Sequence, residues 1–102
     1  TVQALQAGEI DVALLFSTSS AIGENGWVLL EDDKNLQNTD LITPVVRTEV
    51  LEASPDIEEL LNSVSAELDT ETMTELNRRV EIDQEDPAVV AEDFLTEAGL
   101  LG

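Results

Sequence analysis

Residues 8–20 read GEIDVALLFSTSS, and the architecture of the chain depends on this stretch. It begins with Gly8, continues as the nearly unbroken apolar run Ile10–Phe16 and ends in the four hydroxyl residues Ser17–Ser20. A run that is apolar on both faces is typical of a parallel strand covered by helices on both sides, because neither face meets water. Open α/β sheets bind ligands outside the carboxyl ends of their strands. The hydroxyl residues therefore predict either a ligand crevice or an ordinary turn after a buried strand.

The composition is that of one acidic domain with an aliphatic core. The 102 residues are 42% hydrophobic but only 3% aromatic, so Leu, Val, Ile and Ala must supply the packing. The formal net charge is −19, because four basic residues oppose 23 acidic ones. Such a chain repels polyanions, which argues against nucleic-acid binding and against docking onto anionic lipid. An acidic, lysine-poor surface also suits surroundings of high salt, where self-repulsion is screened.

Two missing residue types restrict the chemistry. The chain has no Cys and no His. This excludes disulfides, thiolate ligands and His-containing catalytic triads, and no motif calls for a cofactor. No apolar run reaches the ~18 residues that a membrane span needs.

The first half of the chain predicts one helix end followed by short strands. Residues 1–7 have helical spacing and stop at Gly8, a residue favoured just past a helix end. A strand is predicted at Ile10–Phe16, and residues 21–26 are interpreted as a loop. Further short strands are predicted at Trp27–Leu30 and Leu41–Arg47. Because partner strands for residues 10–16 are not evident, we expect this chain to be a piece of a larger protein that self-associates when isolated.

The second half predicts helices with clear starts. A short helix is expected around Glu49–Leu51. Longer ones are expected to start at Ser54–Pro55, Asp69–Thr70 and Asp86–Pro87, where N-cap residues precede apolar stripes at helical spacing. Asn77 falls on an apolar face, so we expect its amide to bond backbone at a loop end.

The candidate catalytic and metal-binding groups are weak. Glu31–Asp33 offers carboxylates for a hard cation, but adjacent residues of a strand point to opposite faces, so a solvated turn is the better interpretation. Asp11 has no second carboxylate at a fixed spacing. Ser17–Ser20 lacks both the G-x-S-x-G elbow and a base. A hydrolase or metal-dependent enzyme is therefore the minor alternative.

Several pieces of the sequence carry a resemblance by their order and spacing. They are GEIDVALLFST at residues 8–18, Leu29–Lys34, Pro44–Arg47, the helix start at Ser54–Pro55, Glu75–Asn77 and residues 90–101. Together they resemble the carboxyl-terminal third of the extracytoplasmic solute-binding proteins of glycine betaine, choline and related osmoprotectant ABC transporters.

The resemblance implies an α/β protein of the periplasmic-binding-protein type II fold. This chain would be a partial, helix-rich carboxyl-terminal segment with few short strands. Residues 1–24 would supply the last helix end and strand of one lobe and the crossover, and residues 25–102 the end of the other lobe. The lobes would close on a solute by hinge motion.

The resemblance also implies the ligand-binding residues Thr18, Ser19 and Asp40. The family's strand usually ends in Thr-Asp; here Thr18 matches, and Ser19 stands at the Asp position. Members that bind quaternary ammonium commonly have an aromatic-cage Tyr where this chain has Asp40. A carboxylate attracts a cation but also accepts hydrogen bonds, so a different polar amine or amino-acid derivative is the alternative solute. The implied partners are a quaternary-amine-like solute and the membrane subunits of the transporter, outside the cytoplasm.

Overall fold

The structure is a computed structural model that describes residues 1–102 and contains six helices and no β-strand. Short helices occupy the first half, and the three longest follow one another in the second half. The helices are α1 (Val2–Gln6), α2 (Ser20–Glu24), α3 (Thr48–Ala53), α4 (Asp56–Ala66), α5 (Thr70–Glu81) and α6 (Pro87–Glu97).

The three predicted strands are not formed in this chain. Residues 10–16, 27–30 and 41–47 lie outside helices, but no backbone ladder joins them to another segment. Val12, Leu14 and Phe16 are 72%, 74% and 76% exposed. A strand is defined by hydrogen bonds to a neighbour about 4.8 Å away, and no segment here lies in that position. The helix-rich part of the expectation is met, whereas the α/β character does not appear within these residues.

The loop interpretation of residues 21–26 is wrong, because residues 21–24 belong to helix α2. Ser19 stands at its N-cap position, and Gly26 follows its end with φ of +64°. The N–H of Gly26 donates to the Gly23 carbonyl at 3.1 Å, and the N–H of Trp27 donates to the Ile22 carbonyl at 2.9 Å. This bond pair is the Schellman helix ending, for which glycine is favoured. The Gly and Asn signal therefore marks a helix end.

The predicted starts of α5 and α6 are confirmed by their side-chain caps. The Asp69 carboxylate accepts from the Thr72 N–H at 2.8 Å, and the Asp86 carboxylate accepts from the Ala88 N–H at 2.8 Å. Pro87 occupies the first turn of α6, where its missing N–H costs nothing. At α4 the expectation is displaced by one residue. Pro55 is the N-cap residue there, and no side chain caps the helix.

Helix α5 is the centre of the packing, since it contacts both α2 and α6, while α3 packs on α4. Val90 of α6 is the one buried hydrophobic residue, with 3% of its surface exposed. The Arg79 guanidinium extends from α5 to Asp93 on α6 and to Glu85 between the two helices. The resulting unit is small, and it holds the preceding residues through α2.

The chain buries much less surface than a compact domain of its size. Its Cα radius of gyration is 17.3 Å, whereas a compact domain of this length has about 13 Å. Its accessible surface is 8192 Å², whereas a folded monomer of this mass exposes about 5,700 Å². The difference is concentrated in the extended segments, where apolar side chains such as Val28, Leu41 and Val45 are 81%, 77% and 92% exposed.

Candidate functional site

The hydroxyl tip, defined as Ser17–Ser20, is a tight turn that leads into α2. The N–H of Ser19 donates to the Phe16 carbonyl at 3.0 Å and closes the turn. Ser17 is exposed, and Thr18 and Ser19 are half-buried. The first three residues of the tip therefore lie at an accessible surface and not in a packed interior.

Helix α5 holds this tip through Asn77. The Asn77 Nδ2 donates to the main-chain carbonyl of Thr18 at 3.0 Å. Asn77 lies beside Leu76 and Val80 at the edge of the apolar surface of α5, where an unpaired amide would be costly. The expectation that its amide bonds backbone at a loop end is confirmed, and the loop end is the hydroxyl tip itself.

A second side chain of α5, that of Glu81, accepts a hydrogen bond from the last hydroxyl of the tip. Ser20 Oγ donates to the Glu81 carboxylate, and Ser20 is buried, with 6% of its surface exposed. Glu81 belongs to none of the motifs that the sequence offers. Its position four residues after Asn77, on the same side of a helix, is the signal that would have found it.

The four hydroxyls of the tip thus fall into two groups. The Ser20 hydroxyl is bonded to the Glu81 carboxylate of α5. The hydroxyls of Ser17, Thr18 and Ser19 make no hydrogen bond within the chain. A hydroxyl carries one donor and two acceptor lone pairs, so these three side chains are free to bond a polar solute. Thr18 and Ser19 keep the accessibility that the predicted ligand-binding role requires.

Asp40 lies elsewhere in the chain. It is exposed, in the extended stretch that precedes α3, and it forms no hydrogen bond or ion pair. The structure does not join it to Thr18 or Ser19 by any bond. Its ligand-binding role stays a prediction.

The turn interpretation of Glu31–Asp33 is confirmed by backbone bonds. The Asp32 carboxylate accepts from the Gln37 N–H at 2.8 Å, and the Asn35 N–H donates to the Asp32 carbonyl at 3.2 Å. The Gln37 N–H, followed by that of Leu36, lowers the pKa of Asp32 below its usual value of 3.8. Asp32 therefore binds the backbone of its own loop, and no three acidic residues converge on one point.

Two depressions on the carboxyl-terminal helices do not include the predicted site residues. An open one of about 530 Å³ lies along the exposed face of α4 around Glu58 and Asn62. An apolar groove of about 300 Å³ runs between α4, α5 and α6, with Val80 and Phe94 among its walls and Asn77 at its edge. The tip lies outside both of these depressions.

Comparison with known proteins gives the family. A profile described as the substrate-binding domain of the ABC-type glycine betaine transport system matches residues 1–97. The chain belongs to this family. The resemblance drawn from its motifs is confirmed, and the family implies a periplasmic-binding-protein type II fold. The glycine betaine substrate-binding domain is a non-enzymatic component of its transporters, which removes the hydrolase alternative.

Curated relatives of this glycine betaine-type domain bind several solutes. A glycine-betaine-binding protein of Pseudomonas aeruginosa is 42% identical over 73 residues, 72% of this chain and 24% of that protein. The ergothioneine transport permease/ergothioneine binding protein EgtU of Helicobacter pylori is 30% identical over 98 residues, 96% of this chain and 18% of that protein. The carnitine transport binding protein OpuCC of Listeria monocytogenes is 30% identical over 92 residues, 90% of this chain and 30% of that protein.

The chain therefore spans less than a third of the length of these relatives. No solved structure matches it. None of its helices has both the length and the apolar character that crossing a membrane requires.

Proposed function

We propose that the chain is the carboxyl-terminal part of a solute-binding protein that delivers a quaternary-amine-like osmoprotectant to an ABC transporter. The family match across residues 1–97 carries this proposal. The solutes named for the relatives support it, because glycine betaine, carnitine and ergothioneine all combine a trimethylammonium group with a carboxylate. A binding protein for this class needs hydrogen-bond donors for the carboxylate and a site that attracts the cation.

The proposed ligand-binding residues are Thr18, Ser19 and Asp40. The hydroxyls of Thr18 and Ser19 are free of internal bonds and can donate to a carboxylate. Asp40 supplies a negative charge that attracts a quaternary ammonium without the desolvated aromatic faces of a cage. The opposing wall of the cleft lies outside these residues.

A related binding protein for another polar amine or amino-acid derivative is the second candidate. Ser19 and Asp40 favour it, since a carboxylate and a hydroxyl accept hydrogen bonds from N–H and O–H groups that a trimethylammonium lacks. Primary and secondary amines would then bind more tightly than their methylated forms.

We also propose how the chain is divided between two lobes and which partners the whole protein has. Residues 1–24 belong to one lobe and the crossover, and residues 25–102 belong to the other, within a two-lobed α/β protein. In the whole protein the run Ile10–Phe16 pairs with strands of its lobe, and the membrane subunits of the transporter receive the solute outside the cytoplasm. The acidic surface, with a net charge of −19, keeps such a protein soluble in the salty surroundings in which osmoprotectants are needed.

Isothermal titration calorimetry on the full-length protein tests the solute class. Glycine betaine, choline, carnitine, ergothioneine and proline betaine are titrated separately, together with dimethylglycine and glycine. We expect saturable heat with at least one quaternary amine and weaker binding of glycine. Tighter binding of glycine or dimethylglycine would favour the second candidate, and no heat with any of the seven would overturn the proposal.

The variant Thr18→Val tests the site, because it keeps the shape of the side chain and removes its hydroxyl. Loss of one hydrogen bond is expected to weaken solute binding by about threefold to tenfold. Thr96→Val is the matched control, since the Thr96 hydroxyl bonds only the Glu92 carbonyl of its own helix. An unchanged dissociation constant in Thr18→Val would remove Thr18 from the site.

A further inference from the structure

Two side chains one helical turn apart on α5 hold the hydroxyl tip. Asn77 donates to the Thr18 carbonyl, and Glu81 accepts from the Ser20 hydroxyl. No other hydrogen bond joins the first 30 residues to α4, α5 or α6. This pair therefore supplies all the hydrogen bonds that orient the tip relative to the carboxyl-terminal helices, in addition to the packing of α2 on α5.

The bonds converge on the peptide group between Thr18 and Ser19. Its carbonyl accepts from the Asn77 amide at 3.0 Å, and its N–H donates to the Phe16 carbonyl at 3.0 Å. A peptide group is planar, so bonds at both of its ends set the direction of the plane. The Cα atoms of Thr18 and Ser19 lie at the two ends of that plane, and the hydroxyls of both residues are free of hydrogen bonds within the chain.

The second bond fixes the chain immediately beyond this peptide. Ser20 begins α2 and is buried, so its contact with Glu81 ties the start of that helix to the end of α5. Asn77 and Glu81 thereby restrain the tip on both sides of Ser19. Neither side chain approaches the free hydroxyls by a hydrogen bond of its own.

We propose that Asn77 and Glu81 are positioning residues for solute binding. They hold the Thr18–Ser19 peptide in one orientation, so that the two hydroxyls are presented to the solute before it arrives. Preorganised donors bind more tightly because the solute does not have to order them. This inference rests on the proposed function of Thr18 and Ser19, and it adds two residues that do not themselves contact the solute.

The variant Asn77→Asp is the sharpest test, because it keeps the shape of the side chain but removes its N–H₂ donor. In the full-length protein we expect about tenfold weaker binding of the preferred amine solute by calorimetry. The matched control is Asn62→Asp on the exposed face of α4, which introduces the same charge at a side chain without a hydrogen bond. Equal affinity loss in both variants would assign the effect to charge and overturn the inference.

A double-mutant cycle separates positioning from a general effect on stability. In a Thr18→Val background the hydroxyl to be positioned is gone, so Asn77→Asp is expected to cost less affinity than it costs in the wild type. Strictly additive losses would overturn a positioning role. Glu81→Ala is expected to weaken binding by several-fold, and Glu81→Gln, which retains an acceptor for the Ser20 hydroxyl, is expected to recover most of that loss.

A measurement without solute distinguishes failure of this inference from failure of the proposed function. The Ser19 N–H is bonded in the tip, so its hydrogen exchange followed by NMR reports the order of the peptide directly. We expect about tenfold faster exchange in Asn77→Asp and no change in Asn62→Asp. Unchanged exchange would overturn the positioning role, whether or not an amine solute binds. If Asn77→Asp exchanges faster but the protein binds no amine, the result would support the positioning of the tip by Asn77 and refute the proposed solute.

Discussion

The side-chain amide of Asn77 donates a hydrogen bond of 3.0 Å to the main-chain carbonyl of Thr18, 59 residues earlier in the chain. This bond makes α5 a support for the turn whose hydroxyls are the proposed solute donors. It also satisfies a polar amide at the edge of an apolar groove. One contact thus serves both the packing of the helices and the geometry of the candidate site.

Replacement of Val90 by Ala is expected to destabilise the full-length protein by about 2 kcal/mol, because two buried methyl groups lose their contacts. Val90 is 3% exposed, whereas its neighbour Val89 is 50% exposed. Val89→Ala is therefore the matched control, with an expected effect well below that of Val90→Ala. Urea unfolding followed by circular dichroism measures both, and equal effects would contradict the assignment of Val90 to the core.

Replacement of Arg79 by Gln is expected to lower the melting temperature by a few degrees. The Arg79 side chain is 21% exposed and contacts both Glu85 and Asp93, so its loss leaves two carboxylates unpaired. Lys34→Gln changes the net charge equally but removes no ion pair, and it serves as the control. Because salt screens partly exposed pairs, the difference between the variants is expected to shrink at high ionic strength. A difference that grows with salt would refute this account.

Asp69→Ala is expected to destabilise α5 near neutral pH and much less in acid. The Thr72 N–H donates to the Asp69 carboxylate and holds its pKa below the usual value of 3.8. The unfolded chain therefore binds the proton first, so the contribution of the cap is complete above about pH 5 and is lost as the pH falls through the folded pKa. Urea unfolding measures the difference in unfolding free energy between wild type and variant. This difference should become smaller as the pH is lowered from about 6 to about 2.5. The variant Glu52→Ala, at an exposed carboxylate without a hydrogen bond, is the control. A constant difference for Asp69→Ala would exclude the cap as its cause.

The isolated 102-residue chain is expected to self-associate. Its surface exceeds that of a compact monomer by about 2,500 Å², which is more than the ~800 Å² that each partner buries in a standard interface. The exposed face of Val12, Leu14 and Phe16 on an unpaired extended segment is suited to strand pairing between copies. Light scattering should give a mass above that of the monomer, and more so in salt, which screens the net charge of −19.

The variant Leu14→Lys tests the surface of that association. It places a charge in the middle of the exposed face and should shift the chain toward monomer, whereas Leu60→Lys, on α4, should not. A single monomer mass for the unmodified chain at high concentration would refute the expectation.

The sequence by itself determined the local features and the family. The caps at Asp69 and Asp86 are predictable from residues within one turn of each other, because capping bonds join near neighbours in the chain. The motifs also led to the family, whose profile covers residues 1–97. Helix α2 is not predictable in the same way, because Gly and Asn residues are as typical of a loop as they are of a helix end.

Only the tertiary structure decided which hydroxyls are free and what holds them. Ser17–Ser20 is a uniform cluster in sequence, and the separation of Ser20 from Thr18 and Ser19 comes from contacts with Asn77 and Glu81 about 60 residues away. The strands likewise depend on partners alongside them, so an apolar run such as Ile10–Phe16 stays extended and unpaired here. Caps and turns are completed by near neighbours in the chain, whereas sheets and shared sites require distant segments to meet.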